Sequence, residues 1–130
     1  MKRTFLLSII ALIIGCNNLS AQNEAEIKFD TLTHNFGTFS EKTPVVSCEF
    51  RFENIGKSPL IIHQAIASCG CTIPEYTKEP ILPGKTGTLK VTYDGKGKAA
   101  GYFKKSITLR TNGKTEMLRL YIEGVMEENK

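Results

Sequence analysis

The chain has 130 residues, of which 41% are hydrophobic and 23% charged, and its formal net charge is +4. A chain of this size has enough apolar surface for one compact core, which leaves no room for a second domain of ordinary size.

The first segment has a different composition from the rest of the chain. Lys2 and Arg3 precede a largely apolar stretch, residues 5–14, that contains no charge. A basic start followed by roughly a dozen apolar residues is typical of an export signal, and it is shorter than the ~20 residues that a membrane-spanning helix needs. We therefore expect residues 1–21 to direct export and the protein to act outside the cytosol.

The end of this export signal allows two interpretations. Ile13-Ile14-Gly15-Cys16 matches the bacterial lipoprotein pattern, in which Cys16 becomes a lipidated amino terminus. Leu19-Ser20-Ala21 instead offers small residues for ordinary cleavage after Ala21. Lipidation would leave an anchored domain, since several acyl chains give stable attachment, and cleavage would leave a soluble one. Both interpretations predict a periplasmic or lipid-anchored protein of the bacterial envelope.

From about Ala25 onward, apolar and polar residues alternate with a period of two, which is typical of half-buried strands. The stretch from Val46 to Glu53 shows this alternation without a break. The predicted strands are residues 25–30, 34–39, 45–54, 59–67, 86–94, 102–111 and 116–125. About seven short strands in ~100 residues predict an all-β, immunoglobulin-like antiparallel sandwich. We place it at residues 25–126, followed by a short acidic tail at 127–130.

Three loops carry turn residues between these strands. In Leu82-Pro83-Gly84-Lys85 the order of Pro and Gly predicts a type II turn, in which Gly84 takes a positive φ. Asn112-Gly113 between two alternating strands predicts a hairpin. The glycines at 95, 97 and 101 predict a loose hairpin loop, since they lack the Gly-Lys-Ser/Thr of a phosphate-binding loop and open no helix.

Three cysteines remain besides Cys16, in a compartment that permits disulfides. Cys48 shares its register with the apolar residues Val46 and Phe50, so we expect it to point into the core. The strands expected to face it, near Ile107 and Leu118, contain no cysteine. Cys48 is therefore predicted to be a free thiol that packs as a small hydrophobe.

Cys69-Gly70-Cys71 is the main candidate site, and its spacing permits three interpretations. In an extended chain both thiols project from one face, and Gly70 would let the α-carbons approach to the ~4.4–6.8 Å that a disulfide tolerates. Cys69 and Cys71 could then form a structural disulfide or a reducible redox pair. They could also bind a soft metal such as Cu(I), with His63 as a third ligand, although two thiolates supply only half of a zinc site.

Charge is distributed unevenly along the chain. Residues 84–119 contain nine basic and two acidic residues, a net charge of +7, whereas residues 24–83 carry a net charge of −3. If the later strands share a sheet, one face could attract anionic lipid headgroups, acidic glycans or an acidic protein. The alternative is a solvated face whose lysines protect edge strands from aggregation. A nucleic acid partner is not expected outside the cytosol.

Neither histidine has the neighbours of a catalytic group. His34 and His63 lie at no spacing from a serine or carboxylate that implies a triad. We therefore expect no catalytic residue, no enzyme activity and no cofactor apart from a metal at Cys69 and Cys71.

Several motifs resemble a bacterial envelope family known as domain of unknown function 1573. They are His34-Asn35-Phe36-Gly37, Ser68-Cys69-Gly70-Cys71-Thr72, Ile81-Leu82-Pro83-Gly84-Lys85 and residues 101–108. The resemblance covers nearly the whole chain after the signal. It implies a sandwich similar to those of major sperm protein, hydin-like domains and pilus chaperones, an origin in Bacteroidetes and a link to lipoproteins, but no established activity.

These observations favour a non-catalytic interaction or structural module that contacts another envelope protein or a glycan. The alternative is a thiol-redox or soft-metal module centred on Cys69 and Cys71.

Overall fold

The computed structural model describes residues 23–128, which form eight β-strands and no helix. In that range no helix is present that is long and apolar enough to cross a membrane. The strands are β1 (Ile27–Phe29), β2 (Thr33–Ser40), β3 (Val45–Asn54), β4 (Ile62–Ala67), β5 (Thr72–Tyr76), β6 (Thr86–Asp94), β7 (Gly101–Thr111) and β8 (Met117–Glu127).

The strands form two four-stranded sheets that pack face to face. The first sheet has the order β1-β3-β6-β5 and the second has the order β2-β8-β7-β4. All neighbouring strands are antiparallel except β2 and β8, which are parallel. The predicted all-β, immunoglobulin-like sandwich is confirmed.

The core lies between the two sheets and follows the period-two pattern. In β3, residues 48, 50, 52 and 54 are buried and the residues between them are exposed. Phe52 is fully buried, as are Leu89 of β6 and Leu120 of β8. Burying a side chain of this size stabilises the fold by about 1.5–3 kcal/mol. Near one end of the core, the rings of Tyr93 and Phe103 stack across the two sheets at 3.9 Å.

The structure contains one strand, β5, that the sequence did not predict. β5 lies at the edge of the first sheet and pairs with β6, with Thr72 opposite Tyr93. Pro74 lies in its centre, and proline cannot donate to a sheet ladder. At a sheet edge this loss is tolerated, so eight strands form where about seven were expected.

The predicted turns are only partly correct. Gly84 has a φ of 79°, and Lys85 N–H donates to Leu82 O at 3.0 Å, as a type II turn requires. β7 and β8 form the predicted hairpin, but its connection spans residues 112–116. The hairpin predicted at residues 95–101 is wrong: β6 and β7 belong to different sheets, so this segment crosses from one sheet to the other.

The connections gather at two opposite ends of the sandwich. At the amino-terminal end, Lys57 N–H donates to Glu24 O and Lys114 N–H to Ala25 O, which fixes the entering chain against two turns. The other end contains the connections 41–44, 68–71 and 95–100, and we call it the disulfide end.

Candidate functional site

The two cysteines of the predicted site lie on a tight turn at the disulfide end. This turn connects β4 in the second sheet to β5 in the first. Thr72 N–H donates to Cys69 O at 3.1 Å, which closes the four-residue turn. Cys69 and Cys71 are joined by a disulfide with an S–S distance of 2.00 Å, and their α-carbons lie 5.1 Å apart.

Main-chain hydrogen bonds hold both sides of this turn. On the β4 side, Ser68 N–H donates to Ser106 O at 2.9 Å, and Ser106 N–H donates to Ser68 Oγ at 3.1 Å. On the β5 side, Asp94 N–H donates to Cys71 O at 2.8 Å. None of these bonds uses a sulfur atom, so the sheets fix the path of the turn independently of the disulfide.

The two sulfur-bearing residues have different surroundings. Cys69 is half-buried, whereas Cys71 is only 8% exposed and belongs to the core cluster. Cys71 N–H donates to Cys69 Sγ at 3.1 Å, and Cys71 Sγ lies 3.7 Å from the hydroxyl of Thr72. Cys69 also packs against the core cluster, but it is the more exposed residue of the pair.

Gly70 does not have the role that the sequence predicted for it. Its φ is not positive, and a Cβ built on it would meet nothing within 4 Å. The backbone of this turn is accessible to any L-residue, so the close approach of Cys69 and Cys71 does not require glycine.

Cys48 is buried and free, as predicted. Burial, together with the neighbouring charge of Glu49, raises the pKa of the Cys48 thiol from 9.0 to about 11. A thiol with such a pKa stays protonated near neutral pH and is a poor nucleophile.

The histidines do not join the cysteines. His63 is exposed near the start of β4, and Cys69 follows the end of that strand. Six residues of extended chain separate them by about 20 Å. His34 packs edge-on against Phe36, with ring centroids 4.8 Å apart. Residues 23–128 contain no group of three side chains suited to a metal ion, so a metal at Cys69 and Cys71 stays a prediction.

The basic residues of the later strands lie mostly on the second sheet. Four of the nine, Lys104, Lys105, Arg110 and Arg119, lie on the neighbouring strands β7 and β8, whereas Lys90 lies on β6 in the first sheet and the other four lie in connections. Lys90 is paired with Glu49 and Glu75 across the first sheet. Lys104 of the second sheet lies over the ring of Tyr121, at 5.0 Å from its centroid.

Asn54, at the amino-terminal end, is a residue whose role the sequence did not reveal. Its side chain is fully buried and makes four hydrogen bonds to the main chain. Nδ2 donates to Ser58 O at 2.8 Å and to Ile81 O at 2.9 Å, and Oδ1 accepts from Glu26 N–H at 3.3 Å and Gly56 N–H at 3.0 Å. In the sequence, Asn54 and Gly56 indicate only a turn after β3, and nothing there shows that the side chain of Asn54 joins three separate segments.

An apolar cleft lies beside this end of the molecule, between β1 of the first sheet and the start of β8 in the second. It has a volume of about 280 Å³ and is lined by Ile27, Lys28, Phe29, Leu32, Thr115 and Leu118. β2 begins to pair with β8 at Tyr121. Among the described residues, positions 117–120 of β8 therefore have a strand neighbour, β7, on one side only.

Cys16 and Ala21, where lipidation or cleavage was predicted, lie outside the described residues.

Several solved structures share this fold at low sequence identity. A protein of unknown function from Porphyromonas gingivalis W83 matches with a TM-score of 0.72 and 15% identity over 85% of this chain. The ASH/PapD-like domain 7 of human CEP192 matches with a TM-score of 0.62 and 12% identity, covering 84% of this chain and 89% of that one. The periplasmic chaperone SfaE matches with a TM-score of 0.54 and 8% identity, covering 81% of this chain and 59% of that one.

The present chain spans only 50% of the Porphyromonas protein. No curated protein matches it. The family model described as "Protein of unknown function (DUF1573)" matches residues 27–126, which include all eight strands except the last residue of β8. The chain therefore belongs to the DUF1573 family.

Proposed function

We propose that this protein is an exported, non-catalytic interaction module of the bacterial envelope, and that it binds an extended segment of another envelope protein in the cleft between β1 and β8. The observation that carries the proposal is the apolar cleft beside a stretch of β8 that is paired on one side only.

Both features of the cleft suit an extended peptide. A peptide strand can pair with the main-chain groups of residues 117–120, in line with the β2 strand that begins at Thr33. Its alternate side chains would then enter the cleft and contact Phe29 and Leu118, which come from different sheets. Main-chain pairing gives affinity in this mode of binding, and the pocket gives specificity.

The charge pattern supports a protein partner over an anionic surface. Acidic and basic residues alternate across the outer face of the first sheet, where Lys90 lies between Glu49 and Glu75. On the second sheet, which carries most of the basic residues on strands, Lys104 lies opposite the acidic Glu123. Basic residues on both sheets are thus paired in part with acidic ones, which weakens the positive field that attracts lipid headgroups or acidic glycans.

Export is part of the same proposal. It rests on the basic and apolar residues at the start of the chain, which are typical of a leader. It is also consistent with the fold shared with a periplasmic chaperone. In the proposal the mature domain is periplasmic or is attached to a membrane through Cys16.

A photoreactive residue at the rim of the cleft tests the proposal. Leu32 is 51% exposed beside the cleft, and its carbonyl accepts from Tyr121 N–H, a bond that does not depend on the side chain. We expect the natively exported protein to give a discrete cross-linked product when the photoreactive residue replaces Leu32. Leu82 is the matched control, because it is 55% exposed in another connection and its carbonyl also accepts a main-chain bond. Equal products from both positions, or none from Leu32, would contradict the proposal.

A further inference from the structure

We propose that Cys69 is a thiol–disulfide exchange site, at which the thiolate of a cysteine in a partner attacks the Cys69–Cys71 disulfide. Cys71 acts as the internal leaving group and, in reverse, as the resolving thiol. This site lies at the disulfide end, away from the cleft between β1 and β8, so it goes beyond the function proposed above.

Access determines which sulfur reacts. An attacking thiolate must reach a sulfur atom from solvent, and the attacked sulfur keeps the incoming group. Cys69 is half-buried on the turn, whereas Cys71 is buried in the core cluster. Attack therefore falls on Cys69 Sγ.

The exchange balances without any further reagent. The partner's thiolate forms a new S–S bond to Cys69 Sγ while the bond between Cys69 and Cys71 breaks, and its electron pair leaves on Cys71 Sγ. The product is a mixed disulfide at Cys69 together with a Cys71 thiolate, which takes a proton from water or attacks Cys69 Sγ again and releases the partner. A second partner thiol that attacks the mixed disulfide leaves the reduced dithiol and a disulfide between the two partners.

The fold keeps the two thiols together when the disulfide opens. The turn is closed by Thr72 N–H on Cys69 O and is held by bonds to Ser106 and Asp94, none of which involves sulfur. The disulfide joins residues only two apart, so it restricts the unfolded chain much less than a long-range bridge would. Reduction is therefore local and reversible.

Polar groups lie where negative charge develops during exchange. The N–H of Cys71 points at Cys69 Sγ, and the hydroxyl of Thr72 lies near Cys71 Sγ, where it can donate to a thiolate.

Two variants, each lacking one cysteine of the Cys69–Cys71 pair, test the assignment directly. The full exported protein is prepared as Cys71→Ala, which frees Cys69, and as Cys69→Ala, which frees Cys71. Each is reacted with L-cystine, and the mixed disulfide is followed by intact mass. We expect the Cys71→Ala protein to react at least about tenfold faster, because only its thiol is accessible. Equal rates, or a faster Cys69→Ala protein, would overturn the assignment.

The unmodified protein supplies a second test that needs no substitution. It is treated with L-cysteine, or with a short peptide that contains one cysteine; one part is quenched with N-ethylmaleimide for mass analysis and the other part is left unquenched. In the quenched part we expect the mixed disulfide with the added thiol at Cys69 and at no other cysteine, and in the unquenched part a circular dichroism spectrum that does not change. Removal of the added thiol from the unquenched part should restore the Cys69–Cys71 disulfide, because Cys71 attacks Cys69 Sγ and releases the added thiol. A faster reaction with the peptide assigns the partner thiol to a protein, and a faster reaction with free cysteine assigns it to a small molecule. No adduct with either thiol, or loss of the fold on reduction, would overturn the proposal.

Discussion

The two ends of the sandwich are held together by different chemistry. At the amino-terminal end, polar side chains bind the loops: Asn54 makes four bonds to the main chain, and Asn112 bonds to Pro59 O and Ile61 N–H. At the disulfide end, the loops are held mainly by main-chain groups that bond to each other. We therefore expect side chains at the first end to contribute more to stability than those at the second.

The largest effect is expected from Asn54→Ala. This change removes four hydrogen bonds and leaves the main-chain groups that they satisfied in a buried region. Each such loss costs on the order of 1 kcal/mol, so we expect the free energy of unfolding to fall by about 3–4 kcal/mol in urea denaturation. Ser68→Ala at the disulfide end is the control, because its exposed side chain accepts one bond from Ser106 N–H and its loss should cost less than about 1 kcal/mol. Similar losses for the two variants would remove the contrast between the two ends.

Substitutions at Gly56 and Gly70 compare how closely the backbone is packed at the two ends. A Cβ at Gly56 would collide with the main chain of Glu24 and Glu26, whereas a Cβ at Gly70 would meet nothing. We expect Gly56→Ala to cost about 2–3 kcal/mol and Gly70→Ala to change stability by less than about 0.5 kcal/mol, as measured by thermal unfolding. A large loss from Gly70→Ala would show that the turn between the cysteines depends on glycine after all.

The smallest effect concerns the buried thiol and appears only at high pH. Burial and the charge of Glu49 raise the pKa of Cys48 to about 11 in the folded protein, from 9.0. The protonated thiol therefore contributes stability that is present in full below pH 9.0 and is lost as the pH rises toward 11. Between these limits we expect the wild type to lose up to about 2 kcal/mol more than Cys48→Val, measured by urea denaturation at each pH. Parallel pH profiles for the two proteins would contradict the burial of a titrating thiol.

The sequence predicted those elements whose signal is local. The alternation from Val46 to Glu53 correctly predicted which side of β3 is buried, and Pro83-Gly84 correctly predicted a type II turn. β5 was not predicted: it is only five residues long and contains Pro74, which a strand tolerates at a sheet edge, and the edge position is known only from the fold. The segment 95–100 was misassigned because glycines permit a bend but do not determine whether the next strand joins the same sheet.

The candidate sites were predictable to different degrees. The spacing of Cys69 and Cys71 indicated a pair, since residues two apart are always near each other. Which of the two sulfurs is accessible depends on how β4, β5 and β6 pack, and no local pattern records this. The cleft beside Leu32 and the role of Asn54 both arise from segments that are distant in the chain, so they became visible only in the fold.

The entry of the chain and the Cys69–Cys71 turn lie at opposite ends of β7 and β8, each of which is 11 residues long. Strands of this length span about 35 Å, so a domain tethered at Cys16 would display the turn at its distal tip. A thiol-bearing partner would then approach from the aqueous side, while the cleft beside Leu32 would stay near the bilayer. Under the two proposals above, a single anchored copy would hold a neighbour at its base and exchange disulfides at its apex.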